Sequence, residues 1–166
     1  MLARRTFLCT RHSTGHPTIL KAAQTAARRL GLNARLVEVS DITEYGGAFR
    51  IARNERAQAV YVLPSPIFAA HRQRLVELAA QYRLPAAYEF KAYVESGGLL
   101  SYGPNIPDMY RRAASYVDRI LKGAKPGDLP IERPTRFELV INVTTARALG
   151  LAIPQSLLAR ADHIVE

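Results

Sequence analysis

Residues 59–63, AVYVL, form an unbroken apolar run closed by Pro64. A strand with one solvated face alternates apolar and polar residues. A run that is apolar at every position fits a strand covered on both faces, as in a parallel sheet between helices. The rest of the chain supplies what such a strand needs. Short strand signals at 5–10, 34–39, 86–88 and 99–102 alternate with helical periods. Ile19, Leu20, Ala23, Ala27 and Leu30 form a helical stripe that Gly31 stops. Residues 42–56 read as a helix with a weak point at Gly46-Gly47, about 1 kcal/mol per glycine against alanine. Residues 67–82 read as one helix with Phe68, Leu75, Leu78 and Ala79 inward, and 91–95 as a helical turn. In 108–122, Tyr110, Ala113, Ala114, Val117, Ile120 and Leu121 keep the helical period, and Gly123 ends it.

Repeated β-α units predict an α/β fold: a parallel β-sheet flanked by helices, Rossmann-like or flavodoxin-like, with right-handed crossovers. Residues 124–136 contain three prolines and read as an extended crossing connector. FELVIN at 137–142 reads as a buried strand, followed by two short helical turns and a closing strand. The expected division is an α/β ligand-binding lobe over 1–123 and a connector with a C-terminal tail over 124–166.

The formal charge is +9, which raises nucleic acid as a partner. Nineteen of the 23 basic residues are Arg, scattered singly or in pairs over predicted polar helix faces, so no nucleic-acid surface is expected. No stretch approaches the roughly 18 apolar residues of a membrane span. Arg4-Arg5-Thr6-Phe7-Leu8 resembles a twin-arginine signal, but Thr10-Arg11-His12-Ser13 interrupts the apolar stretch it requires. The reading is therefore a chain with no export address as written, one that would stay in the cytoplasm. The single Cys9 allows no intrachain disulfide and reads as a small buried strand residue.

Parallel sheets bind ligands outside the carboxyl ends of their strands. That rule selects the loops 11–17, 40–43, 64–66, 89–90 and 102–105. Ser13 and Thr14, with Gly15, precede a helix, where free N–H groups suit an anion and equally suit simple N-capping. Ser65 stands between Pro64 and Pro66, in a preformed ligand wall or an ordinary strand-to-helix turn. Tyr88, Glu89 and Phe90 place one carboxylate among aromatic faces, a setting for a ligand ammonium or for ordinary packing. Tyr102, before Gly103-Pro104, carries the same two readings. His12 and His16 are four apart but lack a third ligand, so no metal is expected. His71 reads as a solvated residue, and His163 has no evident partner. No P-loop, G-x-S-x-G, H-E-x-x-H or G-x-G-x-x-G pattern occurs, so neither catalysis nor a cofactor is expected.

The segments AHRQRLVELAAQYRLPAAYEF (70–90), GGLLSYGPN (97–105), YRRAASYVDRILKGAKPGDLP (110–130), FELVIN and ALGLAIP (148–154) resemble the ABC-transporter substrate-binding proteins of the tryptophan/tyrosine-type group. The resemblance implies an extracytoplasmic protein of the type I periplasmic fold. It implies a small organic ligand, such as an amino acid, trapped between two lobes. The partner is then a permease driven by a separate ATPase. The chain resembles only the C-terminal half of that architecture, with 5–10 matching the strand that opens the second lobe. A missing N-terminal lobe, or self-association through an exposed apolar face, follows as an expectation. Ser13, Thr14, Ser65, Tyr88, Glu89 and Tyr102 are then expected along the cleft. The alternative is a small flavodoxin-like enzyme or regulator holding phosphate or nucleotide in the 13–15 loop.

Overall fold

The computed structural model describes residues 4–10 and 16–166, and the 11–17 loop with Ser13 and Thr14 lies largely outside them. Seven strands form one sheet: β1 (Arg4–Thr10), β2 (Asn33–Val39), β3 (Ala59–Val62), β4 (Ala86–Tyr88), β5 (Leu100–Pro104), β6 (Phe137–Asn142) and β7 (His163–Val165). Their spatial order is β2-β1-β3-β4-β5-β6-β7. The first five are parallel, as the alternation predicts. β6 returns antiparallel to β5, with Ser101 opposite Val140, and β7 lies parallel to β6. The connector thus brings the tail back onto the same sheet.

The helices are α1 (His16–Arg29), α2 (Tyr45–Asn54), α3 (Pro66–Ala70), α4 (Arg72–Gln81), α5 (Lys91–Glu95), α6 (Ile106–Leu121), α7 (Val143–Ala148) and α8 (Gln155–Leu158). Strand order reverses between β1 and β3. Right-handed crossovers therefore place α1 on one face and α2, α4 and α5 on the other. The second group covers the main core, where Val39, Phe49, Val62, Phe68, Leu75 and Tyr88 are buried. The opposite face is thinner: Tyr61, Ala87 and Leu100 are only half-buried, and Tyr102 is exposed.

Two helices differ from their sequence outline. The expected helix over 67–82 is broken at His71, whose backbone (φ −107°) closes α3 and opens α4. No glycine or proline lies there to signal the break. It occurs where the His71 ring meets Tyr45, itself edge-on to Phe68 at 5.4 Å. The segment from 42 begins as a 3-10 turn, Ile42–Glu44, capped by Asp41, whose Oδ1 accepts from the Thr43 N–H at 2.7 Å. Only then does α2 start, with Gly46-Gly47 inside it.

α6 departs most in its surroundings. Asn105 caps it, Oδ1 accepting from the Asp108 N–H at 2.9 Å. Its end is a Schellman motif: Gly123 (φ +100°) donates to Ile120 O and Ala124 to Arg119 O. Yet none of its residues is buried. One flank, with Met109, Tyr116 and Ile120, receives the connector's Leu129 and Pro130. The Tyr116 hydroxyl donates to Pro130 O at 2.7 Å, and Arg112 pairs with Glu132 at 3.1 Å. The other flank, with Tyr110, Val117 and Leu121, stands largely open. Those side chains are 74%, 55% and 82% exposed.

Candidate ligand site at the carboxyl end of the sheet

Five parallel strands deliver their carboxyl ends to one edge of the lobe, and the candidate residues sort themselves there by backbone register. Ser65 follows β3 in extended conformation and is the N-cap of α3, but its hydroxyl does not bond the helix. It is buried to 7% exposure. Tyr88, the last residue of β4, points the other way, into the core. It is 1% exposed and stacks on Tyr93 with ring centroids 4.6 Å apart. The structure therefore gives Tyr88 to packing, the second of its two sequence readings. Tyr102 lies within β5 on the thin face, 60% exposed and stacked on Phe137 at 5.9 Å. It stands below the strand end, not at it.

Glu89 is the residue that the strand end presents. It passes so close to β5 that a Cβ at Gly103 would stand 2.1 Å from Glu89 O and 3.0 Å from its Cγ. Only glycine permits that approach. Glu89 Oε2 is buried and has no hydrogen-bond partner among the described residues. Burial holds its carboxyl above the usual glutamate range. The Tyr61 and Tyr93 phenols are also pushed up, first by burial and then by the Glu89 charge. That oxygen meets no donor among the described residues, and an ammonium group would supply a donor together with a positive charge.

At the same edge lies a cavity of about 540 Å³, lined by Phe90 and Tyr93 but not by Glu89 itself. Arg72, Lys91, Asn105, Glu138 and His163 are among its other lining residues. Glu138, from β6, is 8% exposed and accepts from Asn105 Nδ2 at 2.8 Å. His163 Nε2 stands 3.8 Å from the same carboxylate oxygen. Asn105 thus ties the exit of β5 to β6 while capping α6. The sequence reading missed Asn105, Glu138 and His163. Asn105 carried a signal, since Asn followed three residues later by Asp is a capping pattern. Glu138 and His163 carried none, because only the sheet brings positions 105, 138 and 163 together. No cluster of three metal-ligating side chains occurs among the described residues.

These features define a single α/β lobe with its ligand chemistry gathered at one sheet edge. The model of the family described as ABC transporter substrate binding protein matches residues 7–165, and the chain belongs to that family. Solved structures agree on the fold. A conserved domain protein from Vibrio cholerae O1 biovar eltor is 24% identical with a TM-score of 0.89, matching 98% of this chain and 55% of its own. An ABC domain in complex with L-Trp from Streptococcus pneumonia is 24% identical with a TM-score of 0.90, matching 99% of this chain and 55% of its own. A ligand-free, open substrate-binding protein with adhesive properties from Clostridium difficile is 15% identical with a TM-score of 0.72, matching 98% and 54%. The chain therefore spans about half the length of the structures it resembles. A search among curated proteins returned no match. The family is one of extracytoplasmic binding proteins and not, in general, of enzymes, which does not favour the flavodoxin-like alternative. Among the described residues, no helix is long and apolar enough to cross a membrane.

Proposed function

We propose that this chain is a ligand-binding lobe of an ABC-type importer's substrate-binding component, outside the cytoplasm and without enzymatic activity of its own. Its solute is an amino acid, and the Glu89 carboxylate receives the ligand ammonium. The observation that carries this reading is the buried Glu89 Oε2, without a hydrogen-bond partner among the described residues, one residue before Phe90, which lines the 540 Å³ cavity at the carboxyl ends of the strands. The neighbour solved with L-Trp supports the ligand class. Ser13, Thr14 and Ser65 are proposed as neighbouring contacts, and Tyr102 as a flank of the cleft. Tyr88 acts from behind, through Tyr93.

A cleft binder closes two lobes over its ligand and excludes water. One lobe supplies part of those contacts, so this chain alone binds weakly. The open flank of α6 is where the second lobe would sit, matching the 45% or so of the related chains that has no counterpart here. The closed pair would then dock on a permease with its ATPase.

The test is a titration of L-tryptophan into ¹⁵N-labelled chain, followed by amide shifts. Saturable shifts at Phe90 and Gly103, with a dissociation constant of ~1 mM or weaker, support the reading. Glu89→Gln should abolish most of that response. A response confined to other residues, or unchanged by Glu89→Gln, would refute the assigned ammonium contact. A tight stoichiometric constant for the chain alone would refute the need for a second lobe.

A further inference from the structure

The arginines that look scattered along the sequence are gathered by the topology. Each helix of a parallel β-α unit runs back against its strands, so its last turn stands at the amino edge of the sheet, opposite the ligand edge. α1, α2 and α4 bring Arg28, Arg29, Arg53, Arg56 and Arg83 to that edge. The strands they lead from and into are β2, β1, β3 and β4, neighbours across a width of roughly 15 Å. All five side chains are exposed, and none has a salt-bridge partner among the described residues. The turns 30–32, 55–58 and 82–85 hold one carboxylate, Glu55, and Arg35 already pairs with it. On α6, by contrast, Arg111 and Arg112 both pair with Asp108.

A cation in the last turn of a helix is favoured by the carbonyls there, which accounts for Arg28, Arg29 and Arg53. Arg56 and Arg83 need a further reason. They hold left-handed positions (φ 56° and 50°) of the kind that Gly31, Gly97, Gly123 and Gly150 fill at other helix ends. Leu30 is a second, independent observation. It follows Arg28-Arg29 directly and is 73% exposed, and Ile51, two residues before Arg53, is exposed as well. Cations beside exposed aliphatic side chains match a bilayer surface, where charge meets lipid phosphate and the apolar group enters the headgroup layer. A nucleic-acid surface would combine such cations with a stacking aromatic or an element that enters a groove. Here the turns are short, and their aromatic, Tyr82, is half-buried and stacked on Phe49. We propose that the amino edge of the sheet docks on an anionic phospholipid surface through these five arginines and Leu30. The proposal does not depend on the amino-acid site. Docking leaves the carboxyl edge, at the far end of the same strands, clear of lipid.

The test is co-sedimentation with vesicles of phosphatidylglycerol and phosphatidylcholine in equal parts, against phosphatidylcholine alone. The chain should pellet with the first only, and salt should release it. Arg56→Gln with Arg83→Gln should weaken binding roughly twenty-fivefold, about fivefold per arginine. Arg111→Gln with Arg112→Gln removes the same charge from α6, which starts at the carboxyl edge, and should weaken it far less. The chain has no tryptophan, so Leu30→Trp introduces a single indole. Its emission should move to the blue on the anionic vesicles and stay unchanged with phosphatidylcholine alone. The proposal is overturned if the parent does not pellet with the anionic vesicles, if the two double variants weaken binding equally, or if the indole emission does not move. Duplex DNA bound as tightly as the vesicles would make the edge a general polyanion surface and would also overturn it.

Discussion

Tyr88 and Glu89 are adjacent, and their opposite fates follow from the pleat. Successive strand residues face opposite ways, and at the last position of β4 the core takes the ring and the strand end releases the carboxylate. The raised Glu89 pKa has a sign that can be checked. In the folded chain the protonated form is favoured, so this residue's contribution is full below the unfolded glutamate value. It is lost as pH rises through the folded value. The thermal midpoint of the parent should therefore fall over that range more than that of Glu89→Gln. At neutral pH the variant should be the more stable by at most about 1 kcal/mol, since Glu89 is half-buried and water screens part of its charge. Ligand affinity should move the other way, rising with pH as the carboxylate ionises. Thermal melts of both proteins from acid to neutral pH decide it, and parallel curves would remove Glu89 from the account.

At the scale of the element, the helix ends share one device. α1, α5, α6 and α7 stop at Gly31, Gly97, Gly123 and Gly150, all with positive φ. α2 and α4 stop the same way at Arg56 (φ 56°) and Arg83 (φ 50°). The bonds are the same: Arg56 donates to Arg53 O and Ala57 to Ala52 O. A side chain in the left-handed region costs about 1–2 kcal/mol. Arg56→Gly should therefore stabilise the chain by about 1 kcal/mol in urea unfolding, the gain being trimmed by the extra freedom of glycine when unfolded. A loss of stability would mean that the Arg56 side chain contributes more than its backbone costs. The glycine stops are visible in the sequence, and the arginine stops are not. Nor is the break at His71, where the Tyr45 ring and not a helix-breaking residue marks the joint.

For the whole molecule, the decisive feature is an amphipathic helix, α6, whose apolar stripe is covered by the connector on one flank and stands largely open on the other. Val117 and Leu121 are exposed on α6, and Ile131 in the connector is 99% exposed. Apolar surface of this kind is the place to test for a contact with another body. Val117→Glu with Leu121→Glu should leave unfolding stability within about 0.5 kcal/mol of the parent, as expected of exposed positions. The pair should also suppress self-association in sedimentation velocity. If the parent is itself monomeric at all concentrations, the stripe is not a sticky face. A large loss of stability would show that it packs within the chain.

The sequence by itself determined the β-α alternation, the positions of the parallel strands, most helix stops and the family. Each of these is written in local periodicity, turn residues or contiguous motifs such as SYGPN and FELVIN. It also placed a carboxylate at the end of β4. Periodicity states which residues share a face and is silent on what that face meets. Only the tertiary structure therefore sent Tyr88 inward, and only it gathered Asn105, Glu138 and His163 across a chain separation of 58 residues. It also left the most regular apolar stripe in the chain facing outward. Burial and pairing are properties of surfaces brought together by the sheet, and those surfaces come from segments far apart in sequence or from another body.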